Sequence, residues 1–153
     1  MAQTTDALSN ACATVEVSID GCVNWTDISG STQSVSGTEQ GRQSGEVYTF
    51  EGEGPIIKRG KKEPLELVFA IVYTEEALEP YELARAIFEE DGCNGEICVR
   101  WSPAGGVVGT YRYTAFGPII NFIYPPIDAS TASPIMGGFT VKVGEITPAV
   151  IAS

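Results

Sequence analysis

The segment Leu65 to Tyr73 (LELVFAIVY) constrains the fold of this chain more than any other. Leu65, Leu67, Phe69, Ile71 and Tyr73 share one side at a period of two, and Val68, Ala70 and Val72 on the other side are also apolar. The period marks a β-strand. A strand apolar on both sides is covered on both. In a small antiparallel sheet the second cover has to be a helix, another sheet or a neighbouring subunit.

Short strands surround this one. Residues 13–19 alternate, with Ala13, Val15, Val17 and Ile19 on one face. Asp20-Gly21 then predicts a two-residue hairpin turn, with Cys22 to Ile28 as the returning partner. Residues 29–45 (SGSTQSVSGTEQGRQSG) are almost wholly polar and predict a long loop, of a length that is either functional or disordered. Glu46 to Glu53 reads as a strand, and Lys58, Arg59, Lys61 and Lys62 as a charged hairpin tip. Pro80 at a first helical position, acidic residues around it and Gly92 as C-terminal cap predict one helix, with Leu83, Ala84, Ile87 and Phe88 as its apolar stripe. Strands follow at Glu96–Trp101, at Val107–Phe116, from Gly117-Pro118 to Tyr124, and at Met136–Ile146. The expected fold is mainly β (α+β): an antiparallel β-sandwich or partly closed barrel with one packed α-helix. It is read as a single domain over residues 1–153, with a polar N-terminal arm (1–11), the loop 29–45 and a C-terminal tail (147–153).

Charge removes several function classes. Twenty Asp and Glu against nine Lys and Arg give a net charge of −11, and the chain has no histidine. A binder of nucleic acid normally presents a basic face, and Ser-His-Asp, Cys-His and His-metal chemistry all require the missing residue. The opening MAQTTDALSN has no Lys or Arg and no apolar block, so it does not read as a secretory signal. No stretch approaches the length of a membrane span. A soluble chain made in the cytoplasm, with no membrane partner and no cofactor, is the expectation.

The residues with chemical potential are few. Cys12, Cys22, Cys93 and Cys98 read as buried or half-buried free thiols, with a Cys93–Cys98 disulfide or half of a four-thiolate zinc site as alternatives. Glu75, Glu76, Glu79, Glu82, Glu89, Glu90 and Asp91 crowd one helix, where solvation and the helix dipole account for them better than a paired-carboxylate glycosidase does. Asp20, Asp27 and Asp91 lack EF-hand spacing for calcium. Trp25, Tyr48, Trp101, Tyr111 and Tyr113 lie on strands, where they serve as packing or as a sugar-stacking platform. The Lys58–Lys62 patch is either a solvated tip or the complement of an acidic surface on another copy.

The order of elements resembles the tail tube protein (major tail protein) of long-tailed bacteriophages. The likeness lies in the hairpin with Trp25-Thr26-Asp27-Ile28-Ser29-Gly30, the polar loop 31–45, Gly45 to Gly52, the charged turn into the long apolar strand, the single helix, and Arg100-Trp101-Ser102-Pro103 with Gly105-Gly106. The resemblance implies self-association into hexameric rings stacked as a hollow tube, with other tail proteins at its ends. The same fold serves contractile tails and type VI secretion. The long loop would reach the adjacent ring through Ser31, Gln33, Val35, Thr38, Glu39, Gln40 and Arg42, and Lys58, Arg59, Lys61 and Lys62 would lie between subunits. The carboxylates expected on an acidic lumen, along which DNA slides without binding, are Glu16, Glu46, Glu51, Glu53, Glu66 and Glu96. The alternative is a carbohydrate-binding or adhesin-type β-sandwich built on the strand aromatics.

Overall fold

The computed structural model describes residues 2–93 and 95–152. Met1 of the expected N-terminal arm, Asn94 between Cys93 and Cys98, and Ser153 of the tail lie outside them. The strands are β1 (Thr14–Ser18), β2 (Thr26–Asp27), β3 (Thr32–Ser36), β4 (Arg42–Val47), β5 (Ile56–Lys62), β6 (Leu65–Val72), β7 (Glu96–Ser102), β8 (Tyr111–Ile123), β9 (Met136–Val143) and β10 (Thr147–Val150). The helix α1 spans Pro80–Phe88, and a single 3-10 turn covers Asn10–Cys12. No described helix is long and apolar enough to cross a membrane.

Eight strands form one antiparallel path, β2-β1-β7-β8-β9-β6-β3, with β10 added along β8. The path folds over on itself as a sandwich, without closing into a barrel. The fold follows from β8. Its residues 113–118 pair with β7, and 119–123 pair with β9. The Gly117-Pro118 pair, expected to separate two strands, instead lies within this one strand where the partner changes. A proline there gives up a donor at the junction of two ladders rather than in the middle of one. A Cβ on Gly117 would stand 2.0 Å from the Lys142 carbonyl oxygen, so only glycine allows this approach.

The core lies between the two halves. On β6, Leu65, Leu67, Phe69 and Ile71 are buried, as the alternation predicts, while Val68, Ala70 and Val72 are half-buried. Register aligns Phe69, Phe139 and Phe122 across β6, β9 and β8. The Phe69 and Phe139 rings stack at 4.8 Å. The helix closes the end of this row. Tyr81 and Phe88 sit 5.0 and 5.6 Å from Phe122, and the Tyr81 hydroxyl donates to the Ile123 carbonyl at 3.1 Å. A Cβ on Gly137 would meet the Tyr81 ring at 2.3 Å, so the glycine leaves room for the tyrosine.

Several expectations need correction. The helix buries Tyr81 and Ala84, with Ile87 and Phe88 half-buried against the core, so Tyr81 rather than Leu83 anchors the stripe. A tyrosine with a backbone acceptor for its hydroxyl is a core residue. The helix ends at Phe88 with Glu89 as its C-cap, three residues before Gly92. Of residues 22–28 only Thr26–Asp27 pairs with β1, and Asp20-Gly21 is not a tight turn. The 29–45 segment contains β3, paired along β6, and most of β4, paired with β5. Edge strands with solvent on one or both sides need no apolar alternation, since backbone hydrogen bonds hold them. The strand predicted to Glu53 stops at Val47, and Lys58–Lys62 lie along β5 rather than at a tip. The tail forms β10, and Ile151 beyond it is buried.

Phe122→Ala removes the ring that α1 rests on. It should lower unfolding free energy by about 3–5 kcal/mol in urea denaturation, and helical signal should melt before the sheet.

Candidate assembly surfaces

Three features stand out from the sandwich. The first is an arm made of β4, β5 and the tip between them. Every residue of both strands is exposed. At the tip Phe50 is fully exposed and Tyr48 is 68% exposed; Val47, Ile56 and Ile57 are exposed beside them. The register sets Val47 opposite Ile56, Glu46 opposite Ile57, and Gly45 opposite Lys58. Gln40 fastens the base of the arm. Its Nε2 donates to the carbonyls of Glu63 (3.2 Å) and Gly144 (2.9 Å), and its Oε1 accepts from the Ile146 N–H at 3.3 Å. Lys62 adds an ion pair with Glu145 at 3.2 Å.

The second feature is the connection from β1 to β2, which folds back over the outer side of sheet strands β1 and β7. Asp20 organises it by accepting from the Ser18 hydroxyl (2.7 Å), the Asn24 N–H (2.9 Å) and the Asn24 side-chain amide (2.7 Å). These donors, the Asn24 N–H first, hold the Asp20 carboxyl down to about 2. Cys22 and Cys98 are joined as a disulfide, and Cys98 is fully buried. Beside it Arg100 reaches the Glu16 carboxylate at 3.2 and 3.0 Å and lies 4.0 Å over the Trp25 ring. This corrects the reading of four free thiols and of a Cys93–Cys98 bridge. It also uses two of the thiolates that a zinc site would need. Spacing along the chain could not reveal a pair 76 residues apart; only the antiparallel β1–β7 register brings the two together. Cys12 and Cys93 are free and exposed.

The third feature is a cleft between β2 and the start of α1. Ile28 and Pro80 lie at its floor, Leu78 is 84% exposed within it, and Asp27, Glu76 and Glu79 rim it. The Ser31 hydroxyl donates to Glu79 at 3.3 Å and closes one side.

The residues expected at a ring-stacking loop divide among these features. Ser31 belongs to the cleft and Val35 packs against the core. Gln33 is exposed on β3, Thr38 and Glu39 are exposed in the link to the arm, and Gln40 is the clamp. Arg42 lies at the arm's base, donating to the Gly60 carbonyl at 3.3 Å. The six carboxylates expected on a lumen lie on different elements of the subunit. Glu46, Glu51 and Glu53 travel with the arm; Glu66 faces Lys142 across β6 and β9; Glu96 opens β7; Glu16 is paired to Arg100. The aromatics form no single platform either. Trp25 stacks with Arg100, Tyr48 is on the arm, and Trp101, Tyr113 and Tyr111 form a stacked row whose Trp101 end packs on the core. Among the described residues no group of three or more His, Cys, Asp or Glu gathers as a metal site.

No family model matches the chain, and no curated protein matches it. Solved structures do. A chain of an anti-feeding prophage baseplate, solved with 6-fold symmetrisation, superposes with a TM-score of 0.73 at 12% identity, covering 97% of this chain and 99% of that one. A chain of the sheath–tube complex of an extracellular contractile injection system (PVC) in its extended state gives 0.71 at 11%, covering 95% and 93%. The anti-feeding prophage tube-terminating cap gives 0.72 at 12%, covering 98% and 95%. The fold is tail-tube-like. At such identities the likeness is one of backbone architecture, and it runs over nearly the whole length of each partner.

The disulfide closes a long loop between the β1–β2 connection and β7, so Cys22→Ser with Cys98→Ala should cost about 2–4 kcal/mol, measured by denaturant unfolding without reductant. The depressed Asp20 carboxyl gives the β1–β2 connection a pH dependence. Its bonds are fully present above the ordinary carboxyl value of 3.8 and are lost as pH falls through about 2. Trp25 emission should therefore shift between pH 4 and 2 in the parent, and Asp20→Asn should remove that step.

Proposed function

We propose that the chain is a structural subunit that assembles with copies of itself into stacked rings, forming the tube of a contractile tail or tail-derived injection apparatus. The observation that carries this reading is the arm. Among the described residues β4 and β5 form a two-stranded sheet of their own, exposed along its whole length, and its tip exposes Tyr48, Phe50, Ile56 and Ile57. A lone two-stranded hairpin is marginal in water, so the arm calls for a neighbour to cover it. The tail-tube-like fold supplies the context, since the comparable chains come from tube, cap and baseplate assemblies. The six-fold symmetrised relative supports hexameric rings, and its assembly supports other tail proteins as partners at the tube ends.

In this role the chain works mechanically and electrostatically rather than as an enzyme. With a net charge of −11, the wall repels a polyanion instead of binding it. DNA then slides through the bore during ejection. Glu66 and Glu96, on sheet strands and exposed, are the carboxylates best placed to line such a bore.

Replacing residues 46–57 by Asn-Gly joins Gly45 directly to Lys58, which are already register partners, through a favoured two-residue turn. The variant should keep the parent's circular dichroism and melting profile but form no tubes in negative-stain images. A parent protein that stays monomeric at millimolar concentration overturns the reading.

A further inference from the structure

We propose that the arm of one copy docks head to tail in the cleft between β2 and α1 of the next copy, basic strand against acidic rim. The inference rests on the tube-subunit reading and adds the landing site to it. Charge is the first argument. Residues 42–62 hold five of the nine Lys and Arg but only three of the twenty carboxylates, leaving the arm at +2 and the rest of the chain at −13. Lys62 is spent on Glu145 at the base, whereas Lys58, Arg59 and Lys61 have no ion pair among the described residues. A basic strand attached to an acidic body has its complement in a second copy of the same chain.

Shape and polarity single out the cleft within that body. Elsewhere on the helix Glu82 is already paired with Arg85, whereas Asp27, Glu76 and Glu79 have no ion pair among the described residues. At the cleft, Asp27, Glu76 and Glu79 surround an exposed leucine over an apolar floor. The arm carries the matching combination: exposed isoleucines and aromatics at the tip, and cations on the strand behind them. Apolar tip onto Leu78 with lysine and arginine onto the rim satisfies both surfaces at once.

Placement in the fold supplies the third argument. Along β3 and β6 the cleft lies at one end, where the Val72 N–H donates to the Ser31 carbonyl and Ser31 reaches Glu79. The arm leaves from the other end, where Gln40 holds Glu63 and Gly144. Eight strand residues at about 3.3 Å each separate the two by roughly 26 Å, so the arm and the cleft sit at opposite poles of the subunit. Different surfaces at opposite poles make a heterologous contact, which propagates rather than closing on itself as a two-fold dimer.

The test uses the full chain and follows the critical concentration for tube formation by sedimentation and negative-stain microscopy. Lys58→Glu with Arg59→Glu, and separately Glu76→Lys with Glu79→Lys, should each raise that concentration about tenfold or more. Combining all four changes should bring it back toward the parent value. Leu78→Ser, at a side chain that folding leaves exposed, should weaken assembly without changing the melting profile, which guards against a misfolded charge variant. If the 46–57 replacement abolishes tubes while the Glu76, Glu79 and Leu78 variants assemble like the parent, the arm lands elsewhere and this proposal fails while the tube reading stands. If the 46–57 replacement still forms tubes, the tube reading's use of the arm fails as well.

Discussion

Strand β8 changes its hydrogen-bonding partner midway, and the two halves of the sandwich are held face to face by that change. Through Pro118 its residues pair with β7, and from Ile119 they pair with β9. The same strand carries β10 on its opening residues. Strands that pass from one sheet to another through a bend or bulge form the corners of such packings, and a register irregularity between Ile119 and Asn121 marks this one. Phe122 then falls on the core side, in line with Phe139 and Phe69, and gives α1 its seat. Without the corner the helix would keep only its contacts with β6 and β9.

The parts legible in the sequence are those where one face is dry. The β6 pattern, the Ile97–Val99 side of β7 and the Phe139–Val141–Val143 side of β9 all follow from alternation, because a one-residue slip would put each apolar set into water. The helix is legible from Pro80 and its flanking carboxylates, but nothing in the local pattern marks Tyr81 as its anchor, because its seat on Phe122 and Gly137 lies far along the chain. Where neither face is dry, the sequence carries no period. Strands β3 and β4 consist mostly of Ser, Thr, Gln and Gly and are held by backbone pairing, so they read as loop. The arm was therefore hidden, although its cations were visible as a cluster. Partnerships across long separations were hidden for another reason. The Cys22–Cys98 bond and the Glu16–Arg100–Trp25 stack depend on the β1–β7 register, which no local spacing encodes.

The disulfide and the ion stack belong together physically. The β1–β2 connection crosses the outer side of the sheet without an apolar layer of its own, and Ile19 and Val23 remain exposed on it. Asp20 shapes the connection locally, Cys22 bonds it to β7, and Trp25 covers the Arg100 guanidinium. A half-buried arginine is costly unless its donors are occupied, and the Glu16 carboxylate takes two of them while the indole face covers the plane. A carboxylate so engaged contributes little free charge, which separates Glu16 from Glu66 and Glu96 among the acidic residues of the sheet.

Charge segregation gives the proposed assembly its direction. Subunits at −13 outside the arm repel one another laterally and along the tube axis, and that repulsion is screened over about 8 Å at physiological salt. An acidic wall suits a polyanionic cargo, but the same wall resists its own assembly. In the proposed assembly, placing five of the nine cations on a projecting hairpin eases the conflict, because the attraction is concentrated where an arm would enter the next copy. A uniform scatter of the same lysines and arginines would lower the repulsion everywhere and give the bore a surface to which DNA adheres. Concentrating most of them at one pole leaves the rest of the subunit net acidic, and in the proposed assembly it would also set the polarity with which successive copies meet.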